Sequence, residues 1–127
     1  MVNKFEVEGF EAFVEKIESL KSSGKTTFVL FSGSKDATSG KSWCPDCVVA
    51  SPVINAGLDK IASKDSNYLY VSVGPRSFWK DSNNPFRTDS RTKLKSVPTL
   101  MKYGSPQRLE EGQCAKANMV EMLFEDE

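Results

Sequence analysis

Two cysteines separated by two residues stand in the motif Trp43-Cys44-Pro45-Asp46-Cys47. A helical pattern follows them, so both fall near a helix start, where unpartnered backbone N–H groups favour negative charge. A Cys in that position is displaced toward the thiolate, which is the reactive form. The spacing predicts a dithiol that opens and closes a disulfide. We expect Cys44 to attack and to be the more exposed sulfur, and Cys47 to resolve the mixed disulfide.

The two residues inside the motif are expected to tune this chemistry. Pro45 fixes a backbone angle and stiffens the turn between the sulfurs. The Asp46 carboxylate disfavours a thiolate at Cys44, because like charges repel. We therefore expect a reductase with a potential of about −270 mV, rather than an oxidant at about −120 mV. A second role for Asp46, stabilising the helix N-terminus through the dipole, stays open.

Zinc binding is the alternative chemistry for a Cys-x-x-Cys pair. A structural zinc ion takes four ligands, but the chain has one further thiol, Cys114, and no histidine. The spacing therefore favours dithiol exchange over a metal site. The lack of histidine also excludes Ser/His/Asp and Cys/His catalytic pairs. Cys114 stands just before the last predicted helix, where we expect a partly buried structural thiol.

The composition excludes several classes of protein. A chain of 127 residues is long enough for one domain, predicted over residues 1–127. Its 17 basic and 17 acidic side chains balance, so we expect no surface for nucleic acid or an anionic membrane. We find no apolar run of about 18 residues and expect no signal peptide. Three cysteines are too few for a disulfide-stapled secreted scaffold, so we expect a cytoplasmic protein.

Strand and helix patterns alternate along the chain. Strands are predicted at 5–8, 26–31, 68–73 and 99–103, with a hairpin partner at 107–110. Helices are predicted at 10–20, from 47 to 61, from 85 to about 91, and at 115–124. This order predicts an α/β domain with a central mixed β-sheet flanked by helices. Two polar segments stand out: 32–42 is predicted to be a loop, and 74–96 contains the short helix that starts at residue 85.

The order of these features resembles the thioredoxin fold: a strand, Trp-Cys-x-x-Cys, a helix containing Pro52, a strand, and Val97-Pro98-Thr99 opening the next strand. The chain is also similar to a narrower family, the thioredoxin domain-containing protein 17 group, whose plant relatives are called Clot. The segments that carry this similarity are Phe31-Ser32-Gly33-Ser34-Lys35-Asp36, Lys41-Ser42-Trp43-Cys44-Pro45-Asp46-Cys47, Phe78-Trp79-Lys80-Asp81, Val97-Pro98-Thr99-Leu100, Lys102-Tyr103-Gly104 and Val120-Glu121-Met122-Leu123-Phe124.

The resemblance implies a disulfide reductase whose redox group is its own dithiol, with no bound cofactor. It implies a cis-proline at Pro98 that faces the dithiol, and a substrate chain that pairs with the backbone around Val97. Trp43 is expected either to dock substrate or to pack the loop before the dithiol. Electrons are expected from NADPH through thioredoxin reductase, or from glutathione and glutaredoxin as in plant relatives. The resemblance also allows small-disulfide reduction, denitrosylation and peroxide reduction, by a monomer.

The chain departs from ordinary thioredoxin just before the dithiol. Thioredoxins carry a buried Asp on the preceding strand, which helps to deprotonate the second Cys, whereas 26–31 contains no acid. Asp36 and Asp46 are the candidate replacements, and the sequence does not choose between them.

The loop 32–42 and the segment 74–96 are expected to flank the dithiol and to restrict which disulfides reach Cys44. We expect better activity on small disulfides such as cystine than on bulky protein substrates. Candidate rim residues, each with a merely solvated surface as the alternative, are Lys35, Lys41, Trp79, Lys80 and Arg87. A different class of function stays open beside the reductase: a binding or signalling module that uses the dithiol as a redox-sensitive latch.

Overall fold

A computed structural model describes residues 2–61 and 63–125, arranged around a five-stranded β-sheet. The strands are β1 (Asn3–Glu8), β2 (Thr27–Ser32), β3 (Asn67–Ser72), β4 (Thr99–Lys102) and β5 (Arg108–Glu110). The helices are α1 (Phe10–Lys21), α2 (Pro45–Lys60), α3 (Arg76–Lys80), α4 (Pro85–Thr88) and α5 (Ala117–Glu125), with a 3₁₀ turn at Glu111–Ala115.

The sheet is mixed, as predicted, with strand order β1-β3-β2-β4-β5. Strand β3 pairs in parallel with β1 and β2, whereas β4 runs antiparallel to β2 and to β5. All six residues of β2 are buried, which suits a central strand covered on both faces. The chain therefore leaves the middle of the sheet at Ser32 and reaches the dithiol through the loop that follows.

Alternate residues of β2 serve two separate cores, because successive side chains of a strand point to opposite faces. Val29 and Phe31 pack with Phe13 of α1 on one face. Phe28 and Leu30 pack on the other face with residues of α2 and α5. Helix α2 thus lies across one face of the sheet, and the start of this helix carries the dithiol.

The strand bounds differ from the prediction by one or two residues, and the helices differ more. Helix α2 begins at Pro45 rather than at residue 47, and α4 ends at Thr88 rather than near residue 91. The five-residue helix α3 was not predicted. The last predicted helix is divided, with the 3₁₀ turn first and α5 starting at Ala117. Helices as short as α3 and α4 are hard to predict from sequence, because each spans little more than one turn and is stabilised by tertiary contacts.

A buried asparagine holds α3 and α4 together. The Asn84 side-chain amide donates hydrogen bonds to the carbonyls of Trp79 at 3.0 Å and Asp81 at 2.9 Å. Its side-chain oxygen caps α4 by accepting from the N–H of Arg87 at 3.3 Å. These contacts give the segment from 75 to 89 a fixed shape beside the dithiol.

Among the described residues, no helix has the length and apolar character of a membrane span.

Phe86 anchors this segment in the core, and its loss should be costly. Its buried ring lies 5.3 Å from Phe10 and 6.0 Å from Phe31, between ring centroids. Phe86→Ala should lower the free energy of unfolding by about 3–5 kcal/mol, because it leaves a cavity. Phe78→Ala, at a half-exposed ring of the same segment, should cost about 1 kcal/mol or less. Denaturant unfolding of the two variants measures the difference, and equal losses would contradict this role for Phe86.

Candidate active site

Cys44 is the N-cap of α2, and its sulfur accepts a hydrogen bond from the N–H of Cys47 at 3.2 Å. The helix starts here because Pro45 occupies a first-turn position, where its missing N–H costs nothing. The Cys44 thiol also donates to the carbonyl of Val97 at 3.5 Å. The structure therefore brings both sulfurs and the Val97 backbone together, as the resemblance implies.

Cys44 was expected to be the more exposed cysteine, but the two cysteines have nearly the same solvent exposure. Cys44 is 5% exposed and Cys47 is 4% exposed. The difference lies in what each sulfur faces. A cavity of about 500 Å³, the dithiol groove, is lined by Cys44 and not by Cys47. Its lining residues are Trp43, Cys44, Pro45, Asp46, Arg76, Trp79, Lys95, Ser96, Val97 and Glu111. A disulfide entering the groove meets Cys44 first.

The two thiols titrate as a pair. The hydrogen bond between the side chains raises the pKa of Cys44 and lowers the pKa of Cys47. Burial and the Asp46 carboxylate raise the pKa of Cys44 further, and the Cys47 N–H opposes them. The helix N-terminus predicts a lowered pKa at Cys44, and this prediction is wrong for the reduced pair. The pair loses one proton readily and holds the second one tightly.

Neither candidate carboxylate replaces the buried acid of thioredoxin. The Asp36 carboxylate is fully exposed and accepts from the N–H groups of Thr38 at 2.7 Å and Ser39 at 3.1 Å. These two bonds lower the pKa of Asp36 and tie it to its own loop. The charge of Asp46 acts on Cys44. Neither acid is among the groups that lower the pKa of Cys47.

Neutral donors surround Cys47 instead. After the Cys44 thiol, hydrogen bonds from the Gly33 N–H and from the Ser32 and Ser42 hydroxyls lower the pKa of Cys47, against burial. The Ser42 hydroxyl also accepts from the N–H of Cys44 at 3.1 Å. Gly33, Ser32 and Ser42 were not predicted as site residues, because neither a serine nor a glycine before the dithiol indicates by itself an effect on a cysteine.

The loop before the dithiol is closed at its base and does not line the groove. Ser34 and Trp43 both form hydrogen bonds with the backbone of Gly74. The Ser34 hydroxyl accepts from the Gly74 N–H at 2.9 Å, and the Trp43 indole donates to the Gly74 carbonyl at 2.9 Å. A β-bridge joins Lys35 to Ser42. The Trp43 ring packs against the base of the loop, which is one of the two expected roles, and it also lines the groove. Substrate docking by Trp43 stays a prediction.

The peptide bond between Val97 and Pro98 is cis, as the resemblance implies. The Pro98 carbonyl accepts from the N–H of Glu111 at 2.9 Å and from the Cys114 thiol at 3.7 Å. Cys114 is completely buried rather than partly buried, and burial raises its pKa to about 12. The 3₁₀ turn thus supports the proline from behind, and Cys114 is an inert part of that support.

Only one of the five predicted rim residues lines the dithiol groove. Trp79 does so, while Arg87 stacks on the Trp79 ring at 4.0 Å from the ring centroid and donates to its carbonyl at 2.9 Å. Lys35, Lys41 and Lys80 are absent from the lining. The charged residues that line it are Asp46, Arg76, Lys95 and Glu111. Sequence analysis missed the last three, because they come from separate segments that meet only in the folded chain.

Comparison with known proteins places this site in a family. A model of the thioredoxin domain-containing protein 17-like thioredoxin domain matches residues 6–126. The chain belongs to that family. Human thioredoxin domain-containing protein 17 is 51% identical over 121 residues, which cover 95% of this chain and 94% of the relative. The thioredoxin-like protein Clot of Arabidopsis thaliana is 38% identical over 94 residues, 73% of this chain and 69% of the relative.

Solved structures show the same fold. Oxidised thioredoxin O1 from Arabidopsis thaliana superimposes with a TM-score of 0.59 at 21% identity, covering 97% of this chain and 99% of that one. Reduced Schistosoma mansoni thioredoxin pre-protein gives a TM-score of 0.53 at 16% identity, covering 95% and 98%. The thioredoxin-like fold predicted from the sequence is confirmed. The roles predicted for Cys44, Cys47, Pro45 and Asp46 stay predictions.

Gly33 should tolerate no side chain. A Cβ placed there would lie 2.6 Å from the Trp43 ring and 2.9 Å from the Ser42 hydroxyl. Gly33→Ala should therefore displace Trp43, slow the reaction of the dithiol several-fold and cost about 1–3 kcal/mol of stability. Gly112→Ala, where a Cβ meets nothing within 4 Å, is the matched control. Unfolding and thiol-reaction rates measured on both variants test this, and a neutral Gly33→Ala would refute the close packing.

The charge of Asp46 should be visible in the pH dependence of the thiols. Asp46→Asn removes a carboxylate that raises the pKa of Cys44, so alkylation of Cys44 in a Cys47→Ser background should reach half-maximal rate at a lower pH. Because Asp46 is exposed, the shift should shrink at high salt. Asp59→Asn, at the far end of the same helix, should leave the profile unchanged. A shift of equal size in both variants would contradict a local effect.

Proposed function

We propose that this protein is a thiol-disulfide oxidoreductase that reduces disulfides, with a narrower substrate range than thioredoxin. One observation carries the proposal: the Cys44 sulfur accepts a hydrogen bond from the Cys47 N–H at 3.2 Å, and Cys44 lines a groove together with Val97. Membership of a thioredoxin family supports the same chemistry. The redox group is the chain's own dithiol, and no cofactor is required.

The reaction starts at Cys44. The pair has lost one proton, and the directions of the two pKa shifts favour the remaining proton on Cys44. That proton passes to Cys47 before the Cys44 thiolate attacks. The Cys44 thiolate displaces one substrate sulfur, which leaves as a thiolate, and a mixed disulfide joins Cys44 to the other. Cys47 then loses its proton and attacks Cys44, which forms the Cys44–Cys47 disulfide and releases the second substrate thiolate. The substrate gains two electrons and the protein dithiol loses two.

The groove favours small, charged disulfides. Its volume of about 500 Å³ lies in the range of small-molecule sites. Two cations, Arg76 and Lys95, and two anions, Asp46 and Glu111, line it around Cys44. A disulfide of an amino acid, such as cystine, carries carboxylates and ammonium groups that can pair with both kinds of residue. Denitrosylation and peroxide reduction need the same attacking sulfur and belong to the proposal as secondary activities.

The exchange reaction also requires a source of electrons. Each turnover leaves a Cys44–Cys47 disulfide, which must be reduced again by a dithiol or by glutathione. We propose thioredoxin reductase with NADPH as the donor and glutathione with glutaredoxin as the alternative. The reducing cytosol suits a protein that works through a free dithiol, and we propose that it acts there as a monomer.

Turnover separates a reductase from a redox-sensitive binding module. NADPH oxidation should be followed with thioredoxin reductase, with cystine and insulin as alternative substrates. We expect many turnovers with cystine, slow reduction of insulin, and loss of both in Cys44→Ser. Rapid insulin reduction would contradict the narrow range. Absence of turnover with either substrate, both with thioredoxin reductase and with glutathione and glutaredoxin as donor, would refute the reductase hypothesis and favour the redox-sensitive binding module.

The cations of the groove should determine the affinity for anionic disulfides. Arg76→Ala and Lys95→Ala should each raise the KM for cystine by about threefold to tenfold, with a smaller change in kcat, because each removes one charge pair. Lys80→Ala provides the matched control, since Lys80 is exposed on the same segment as Arg76 but does not line the groove. Cystine dimethyl ester lacks the carboxylates and should be insensitive to both changes. An equal effect on ester and free cystine would contradict carboxylate recognition.

A further inference from the structure

A second cavity lies at the end of the sheet away from the dithiol. It has a volume of about 730 Å³. Thr27, the first residue of β2, lines it, whereas the chain leaves the other end of β2 at Ser32 to reach the dithiol. At about 3.3 Å per residue, the two ends of this strand lie about 17 Å apart. Among the described residues, none lines both this cavity and the dithiol groove.

Positive charge distinguishes this cavity, which we call the basic cavity. Its charged lining residues are Lys21, Lys25, Arg91, Lys102 and Arg108. They come from four segments: the connection from α1 to β2, the turn after α4, β4 and β5. Among the described residues, no carboxylate belongs to the lining, whereas the dithiol groove has two cations and two anions. Because like charges repel, five cations in one place are stabilised by an anion among them.

Two carboxylates pair with these cations from outside the lining. An Asp65 oxygen lies 3.0 Å from the Nζ atom of Lys25, and an Asp89 oxygen lies 2.9 Å from an Nη atom of Arg91. The Lys25 and Arg91 side chains are each 38% exposed. Ion pairs in contact with solvent are weak, so both cations keep the capacity to bind a further anion.

A third carboxylate, Glu18, stands between two of the cations. Its oxygens lie 3.9 Å from the Nζ atom of Lys21 and 3.9 Å from the Nε atom of Arg91. The Glu18 side chain is 52% exposed. Long, exposed contacts of this kind contribute little. An anion inside the basic cavity therefore competes with Glu18 for both cations.

Two turns with fixed backbones form part of the wall. Gly24 has a φ of 72°, and its N–H donates to the carbonyl of Lys21 at 3.3 Å. Gly104 has a φ of 84°, in a turn closed by a hydrogen bond from the Ser105 N–H to the Lys102 carbonyl at 3.1 Å. Glycine adopts these positive φ values without strain. The backbone that carries the cations is thus formed before any ligand arrives.

We propose that the basic cavity binds a small polyphosphate, an anion that carries two or more phosphate groups. A cavity of this volume suits a small molecule. Because its cations come from four segments, a chain of phosphates can pair with more of them than one phosphate can. Arg91 and Arg108 line the cavity, and guanidinium groups bind phosphate oxygens through two parallel N–H bonds. The half-buried Tyr103 also lines it and offers a ring on which a nucleobase can stack.

Isothermal titration calorimetry of the reduced protein at low salt tests the site with inorganic phosphate, tripolyphosphate and ATP, without added metal. Tripolyphosphate should bind at least about tenfold more tightly than phosphate, and salt should weaken its binding by screening. Equal affinities for ATP and tripolyphosphate would support the site with an inorganic polyphosphate as ligand. Tighter binding of ATP, lost in Tyr103→Leu, would support it with a nucleotide as ligand. Absence of binding by both tripolyphosphate and ATP would overturn the proposal.

Charge variants locate the binding. Arg91→Gln and Arg108→Gln should each weaken tripolyphosphate binding about threefold to tenfold. Lys80→Gln removes a cation outside the lining and should have no such effect. Glu18→Gln should tighten binding about twofold to fivefold, because it removes a carboxylate that competes for two cations. Glu11→Gln, in the first turn of the same helix, should leave the affinity unchanged.

The matched controls make the proposal falsifiable. If Lys80→Gln weakens binding as much as Arg91→Gln, or if Glu11→Gln tightens it as much as Glu18→Gln, tripolyphosphate responds only to net charge and the site is refuted. Denaturant unfolding and the rate of thiol reaction should match the unaltered protein in each variant, since the basic cavity shares no described lining residue with the dithiol groove.

Discussion

The hydrogen bond from the Cys47 N–H to the Cys44 sulfur, 3.2 Å long, is the contact on which the site depends. It exists because Cys44 caps α2, and a helix N-terminus leaves N–H groups without intrahelical partners. The rest of the fold brings neighbours to this point. Strand β2 ends at the buried Ser32, and the Val97 carbonyl accepts a hydrogen bond from the Cys44 thiol at 3.5 Å. The 3₁₀ turn supports Pro98, whose carbonyl it holds.

The site has two sides with different chemistry. The groove side is charged and accessible, with Cys44 among Asp46, Arg76, Lys95 and Glu111. On the interior side, the other thiol and neutral donors are the groups that lower the pKa of Cys47. A buried carboxylate would carry its own desolvation cost, whereas hydroxyls and an N–H stabilise a thiolate without adding charge. The loop before the dithiol contributes to this second side, because hydrogen bonding from Gly33 and Ser42 at its two ends lowers the pKa of Cys47.

The fold and the redox pair were predictable, because their signals are local in the chain. Cys44 and Cys47 are three residues apart, the buried strands read as apolar runs, and Pro98 follows a recognisable pattern. The groove was not predictable to the same degree. Arg76, Lys95 and Glu111 come from three segments, and no spacing in the sequence links them. Ser32 was missed for another reason: a serine at the end of a buried strand gives no signal in the sequence that it lowers the pKa of Cys47.

The most direct test of the account is to trap the mixed disulfide. Cys47→Ser keeps the attacking sulfur and removes the resolving one, and Cys44→Ser does the reverse. Each variant should be incubated with cystine and its adducts located by peptide mass spectrometry. We predict a cysteine adduct on Cys44 in Cys47→Ser, formed at least about tenfold faster than any adduct on the buried Cys47 in Cys44→Ser. Equal rates in the two variants, or no adduct on Cys44, would contradict the assignment of Cys44 as the attacking group.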